Sequence, residues 1–97
     1  MKSYKIIYTD FALGQMGPLP AKLLRGLRAT ADLVAQNPGM FELAADYYER
    51  PYRRFHVQRY RVVYRVDDEN HAIYISWVAP AVVPPPLESD LEASERT

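Results

Sequence analysis

YRRFHVQRYRVVYRVDDENHAIYISWV, residues 52–78, decides how the rest of this chain is read. It is rich in β-branched and aromatic residues and is broken by one polar cluster, Asp67-Asp68-Glu69-Asn70. Such residues favour pleated, half-buried backbone, and side chains along a strand alternate between two faces. The pattern predicts strands over 52–58, 60–66 and 72–78. Gln58-Arg59 makes a tight link between the first two, and the polar cluster closes an antiparallel hairpin between the last two. Arg53, Arg54, Arg59, Arg61 and Arg65 fall within thirteen positions of this stretch. If Phe55 and Val57 face a core, Arg54 and His56 face away from it, and Arg61 converges on them from the next strand.

The residues upstream supply a layer to pack behind these strands. YKIIY, residues 4–8, reads as a first strand, and Thr9 or Asp10 can cap a following helix by accepting from its first N–H groups. That helix, over 10–16, is expected to stop at Gly17-Pro18. A second starts near Pro20, carries Leu23, Leu24, Leu27, Ala31 and Val34 at helical spacing, and ends at Asn37-Pro38-Gly39. Residues 40–50, MFELAADYYER, show no clear period, and Pro51 interrupts any helix there. The order β-α-α-β-β-β predicts a two-layer α+β fold, with antiparallel C-terminal strands packed on a helical hairpin. One domain is expected over 1–80. Residues 81–97, with Pro84-Pro85-Pro86 and an acidic end, are expected to form an extended, mobile tail.

Bulk properties narrow the function classes. Ninety-seven residues suit one modest core. There is no cysteine, which excludes disulfides and thiolate metal sites and suits a reducing cytosol. The apolar run near the N-terminus is too short for a signal peptide, and no stretch approaches membrane-spanning length. A cytoplasmic location without membrane contact is therefore expected. The formal charge of zero hides a split: residues 1–86 carry a balance of +3 and residues 87–97 a balance of −3. A mildly basic body permits nucleic-acid binding without requiring it.

Most enzyme chemistries find no support. His56 and His71 stand fifteen residues apart with no further metal-ligand motif. Ser76 lies mid-strand rather than on a nucleophile turn, and the four glycines form no phosphate loop. No metal or cofactor is expected. The arginine-rich strands remain. Guanidinium groups hold phosphate by forked hydrogen bonds, and an imidazole titrating near neutrality can move a proton. Arg54, Arg61 and His56 together supply the minimum for metal-independent RNA cleavage, in which a 2′-hydroxyl attacks its neighbouring phosphate. Arg53, Arg59 and Arg65 are the further cations expected to contact RNA phosphate. The same arginines also fit a plain solvated sheet face bridged to Glu49, Asp67 and Asp68.

In order along the chain, the first strand, two helices ending in LVAQNP (33–38), YRRFHVQRYRVVYRVDD (52–68) and IYISWV (73–78) resemble the RelE/ParE superfamily of toxins from type II toxin–antitoxin systems. The resemblance implies a cognate antitoxin as partner and growth inhibition as the effect. It implies one of two activities: endoribonuclease action on mRNA at the ribosome, or inhibition of DNA gyrase. An inert, antitoxin-binding homologue is a third possibility. For the nuclease branch it implies Arg54, His56 and Arg61 as the residues at the scissile phosphate. The family commonly continues past the last strand with a glycine, a basic pair and later a tyrosine or histidine. Here Ala79-Pro80-Ala81-Val82 follows, with no basic residue. Whether the chain is an enzyme is left open on that ground.

Overall fold

The structure, a computed structural model, describes residues 3–96. The elements in chain order are β1 (Lys5–Tyr8), α1 (Asp10–Met16), α2 (Ala21–Gln36), β2 (Tyr52–Val57), β3 (Tyr60–Asp67), β4 (Ala72–Pro80) and α3 (Glu88–Ser94). The first six reproduce the expected order to within a residue or two at most ends. Thr9 caps α1 as expected, its hydroxyl accepting from the Ala12 N–H at 3.2 Å. Pro20 sits at the cap of α2 rather than inside its first turn, and Asn37 closes that helix.

Strands β2, β3 and β4 form an antiparallel meander, with Phe55 opposite Val62 and His56 opposite Arg61. Strand β1 pairs with β4 in parallel, giving the sheet order β1-β4-β3-β2. The first strand thus lies beside the last, a partnership that strand propensity does not specify. Ser76 is an extra residue on β4, between the pairs Val63–Trp77 and Tyr64–Ile75. After this bulge the alternation resumes one residue out of phase, so Val78 faces the core and Trp77 faces away.

Helices α1 and α2 cover one face of the sheet. Ala12 and Met16, with Leu27, Ala31 and Val34, join Phe55, Val62, Tyr64, Ile73, Ile75 and Val78 in one core. Burying each large aliphatic side chain stabilises the fold by about 1.5–3 kcal/mol. Helix α2 approaches β2 so closely that a Cβ on Gly26 would lie 3.1 Å from Val57 Cγ1, which explains a glycine in mid-helix. Tyr64 reaches through this core to donate to the Pro38 carbonyl at 2.9 Å, tying β3 to the end of α2.

The opposite face carries part of the segment 81–97, expected from sequence as an extended tail. Residues 88–94 fold as α3, and its Leu91 is fully buried against Tyr48, Tyr52 and Val63 in a second cluster. Ser94 is buried as well, its hydroxyl donating to the carbonyl of the bulged Ser76 at 3.1 Å and lying 2.6 Å from the Thr9 hydroxyl. Acidic composition misleads here because Glu95 meets Arg65 and Tyr52 on the sheet and Glu88 meets the N–H groups of Glu49 and Arg50 in the 40–50 loop. Thr97 lies outside the described residues. Residues 40–50 run along the outer edge of β2 and form an isolated bridge at Leu43–Arg53.

Two predictions arise from the fold. Gln58, first residue of the β2–β3 link, holds φ at 53. A side chain in that left-handed region costs about 1–2 kcal/mol, against about 0.5–1 kcal/mol for the extra unfolded-state freedom of glycine. Gln58→Gly is expected to raise unfolding free energy by about 0.5 kcal/mol, and the β-branched Gln58→Val to lower it, as read by urea titration. The second prediction concerns high pH. Burial pushes the phenols of Tyr48 and Tyr64 up to about 12, and burial with the Glu95 hydrogen bond raises Tyr52 as well. Folding therefore holds these protons more tightly than the unfolded chain does. Their stabilisation is complete below about pH 10 and declines as pH rises toward the folded values. Stability measured from pH 9 upward should fall, and Tyr64→Phe should reduce the slope of that fall.

Candidate functional site

The face of β2 and β3 that looks away from α1 and α2 carries Tyr52, Arg54, His56, Arg61, Val63 and Arg65, by alternation from the core residues Phe55, Val62 and Tyr64. Register places His56 directly across from Arg61, with Arg54 two residues along the same strand. His56 is exposed. Arg54 donates through Nη2 to Glu42 Oε1 at 2.8 Å, and its backbone N–H donates to the Glu42 carbonyl at 3.1 Å. The Glu42 side chain is largely exposed, so this ion pair contributes at most about 1 kcal/mol and is readily exchanged for another anion.

Arg61 is more deeply committed. Its Nη1 and Nη2 donate to the carbonyls of Val83 and Ala81 at 3.0 and 3.1 Å. The Nε atoms of both Arg54 and Arg61 are buried with no hydrogen-bond partner among the described residues. Tyr48, from the 40–50 loop, donates its hydroxyl to the Pro86 carbonyl. It lies near enough to Arg61 for that positive charge to oppose the upward push of burial on its pKa.

Carboxylates hold α3 over the far part of this face. Glu95 accepts from Arg65 Nε and from the Tyr52 hydroxyl, both at 2.6 Å. Arg65 also lies over the Tyr74 ring, 4.9 Å from its centroid. Glu88 accepts from the backbone N–H groups of Glu49 and Arg50 at 2.8 and 2.9 Å.

The structure thus brings Arg54, His56 and Arg61 together, as alternation predicts. It does not bring all the other cations to them. Arg53 points to the helical side and donates to the Phe41 carbonyl at 2.6 Å. Arg65 shares the site face but is engaged by Glu95. Arg59 lies in the link, where its carbonyl accepts from the Ala81 N–H at 2.7 Å. Glu42, Glu95 and the carbonyls of 81–86 are contributors that composition does not disclose, because each meets its partner through a long-range contact. Tyr47 and Tyr48 stand out in the sequence as an aromatic pair, and Tyr48 is the one that reaches the site. Among the described residues no group of three or more acidic, histidine or cysteine side chains is arranged to hold a metal ion. No helix among them is long and apolar enough to cross a membrane.

Comparison with solved structures finds the same fold. A chain of the intact Escherichia coli RelBE toxin–antitoxin complex superposes with a TM-score of 0.73 at 20% identity, over 84% of this chain and 100% of that one. The toxin–antitoxin complex RelBE2 of Mycobacterium tuberculosis gives 0.72 at 22% identity, over 82% and 93%. A free-state arginine mutant of E. coli RelE gives 0.71 at 18% identity, over 96% and 94%. No curated protein matches by sequence. The family described as ParE toxin of type II toxin–antitoxin system, parDE, matches residues 2–80, which takes in every strand and the whole Arg54–His56–Arg61 face. The chain belongs to this family of type II toxin–antitoxin toxins.

Proposed function

We propose that this protein is the toxin partner of a cognate antitoxin and that its basic face binds and cleaves RNA without a metal. The observation that carries the reading is the β2–β3 register, which sets His56 opposite Arg61 and Arg54 beside them on one face. Arg54 and Arg61 clamp the scissile phosphate, their forked donors offsetting the charge that builds on its oxygens. His56, exposed at the same place, takes the proton from the attacking 2′-hydroxyl or delivers one to the leaving oxygen. Arg65 and Arg59 extend the positive surface. The antitoxin role rests on family membership and on the complexes in which the similar structures occur.

A second reading, gyrase inhibition without RNA cleavage, is favoured by Ala79-Pro80-Ala81-Val82, which places no cation at the end of β4 or directly after it. Induced expression separates the two. Growth arrest with cleaved mRNA by primer extension supports the nuclease; arrest with intact mRNA and a supercoiling defect supports the gyrase reading. In the first case His56→Ala should reduce cleavage about 10²-fold, the scale of one general acid–base group, with unchanged RNA affinity. Cleavage at the wild-type rate in that variant would remove His56 from the mechanism.

A further inference from the structure

Three donors on the basic face end on one short segment. Arg61 Nη1 and Nη2 and the Tyr48 hydroxyl are taken up by the carbonyls of Val83, Ala81 and Pro86. A guanidinium fork spanning two carbonyl oxygens has the same donor geometry it would offer two oxygens of a phosphate. We propose that residues 81–86 are a built-in strap whose carbonyls occupy the phosphate site, and that Tyr48 is a third phosphate donor of that site, exposed when α3 lifts away. The inference rests on the reading of Arg61 as a phosphate clamp.

The strap is well made for this. Its three consecutive prolines have no backbone N–H and cannot continue the β4 ladder, which leaves the Pro86 carbonyl to accept from Tyr48. One end is fixed by β4 and by the Ala81 N–H bond to Arg59, the other by α3. The anchors of α3 include Leu91 in its pocket, Glu95 on Arg65 and Tyr52, Glu88 on two backbone N–H groups, and Ser94 on the Ser76 carbonyl and the Thr9 hydroxyl. Neutral carbonyls are weaker partners for a guanidinium than an anion is, because only one member of the pair carries a charge. Tethering keeps them in place despite this, because the strap competes at a high effective concentration. Once α3 undocks, an RNA phosphate gains three donors in one step.

Binding of a fluorescein-labelled, 2′-O-methyl RNA dodecamer, which cannot be cleaved, tests this on the full chain. The double variant Glu88→Gln/Glu95→Gln removes the carboxylate anchors without removing any proposed phosphate donor. It should bind about tenfold more tightly than the wild type, the gain expected if the open form is a tenth of the population. Adding Tyr48→Phe should lose several-fold of that gain, and adding Arg61→Ala should abolish it. Hydrogen exchange over 88–94 reports whether α3 has opened. An opened helix with unchanged affinity overturns the strap. If Arg61→Ala weakens binding equally in closed and opened chains, the strap fails while the phosphate clamp stands. If it has no effect in either, the clamp itself fails.

A second arm closes the strap. The Thr9 and Ser94 hydroxyl oxygens lie 2.6 Å apart and the chain has no cysteine, so Thr9→Cys/Ser94→Cys offers a single reversible crosslink. Oxidation should weaken RNA binding and reduction should restore it within the same variant. Equal affinity in the two states overturns the proposal.

Discussion

Arg61→Ala is expected to lower RNA cleavage at saturating RNA by about 10²–10³-fold, the scale on which loss of one transition-state donor acts. The site has little redundancy. Arg54 is the other guanidinium on the face beside His56, Arg65 is held by Glu95, and residues 79–83, at and just past the end of β4, hold no basic side chain. Arg61→Lys should fall between wild type and alanine, because it keeps a charge but loses the fork. Arg61 also holds two strap carbonyls, so its removal costs some stability. The diagnostic pattern is a collapse in cleavage beside a melting temperature lowered by only a few degrees. Primer extension on a defined message, with thermal unfolding of the same preparation, reads both. Cleavage retained in Arg61→Ala would remove Arg61 from the mechanism and end the reading of this face as the cleavage site.

The sheet was legible because its signal is local. Arg54 and His56 could be placed opposite Phe55 and Val57 from alternation alone, and the structure puts Phe55 in the core and His56 in solvent. The same rule puts Arg53 on the Phe55 face, apart from the cations it neighbours in sequence, and only the structure shows it donating to the Phe41 carbonyl. What escaped sequence reading depends on distant partners. The docking of α3 rests on Leu91 meeting a pocket formed by Tyr48, Tyr52 and Val63, and two leucines among acids, Leu87 and Leu91, are too few to establish a period. Glu95 reads as a solvated charge until Arg65 and Tyr52 are brought to it. The parallel placement of β1 beside β4 is likewise a tertiary choice, since both helices intervene before the meander begins.

Phe55→Ala and Leu91→Ala should both destabilise the protein, but in different ways. Each removes a buried side chain, and nominal costs are about 3–5 kcal/mol for phenylalanine and 2–5 kcal/mol for leucine. A domain of this size has about 5–15 kcal/mol in all, so Phe55→Ala is expected to consume a large part of it. Phe55 packs between the sheet and the helices that cover it, in contact distance of Tyr64 and Phe41, with no way for one element to leave alone. Its loss should therefore speed amide exchange in α2 and throughout the sheet together. Leu91 sits on a seven-residue helix joined to β4 only through the 81–87 segment, so that helix is expected to undock as a unit. The measured cost of Leu91→Ala is then capped by the docking free energy of α3, however good the pocket was. Amides of 88–94 should exchange rapidly while those of β3 and β4 stay protected, and the urea m-value should fall because less surface remains to expose. Uniform acceleration of exchange in Leu91→Ala would mean that α3 is part of the cooperative core. A strap that lifts by undocking that helix would then require global unfolding, and the basic face would stay closed in the native protein.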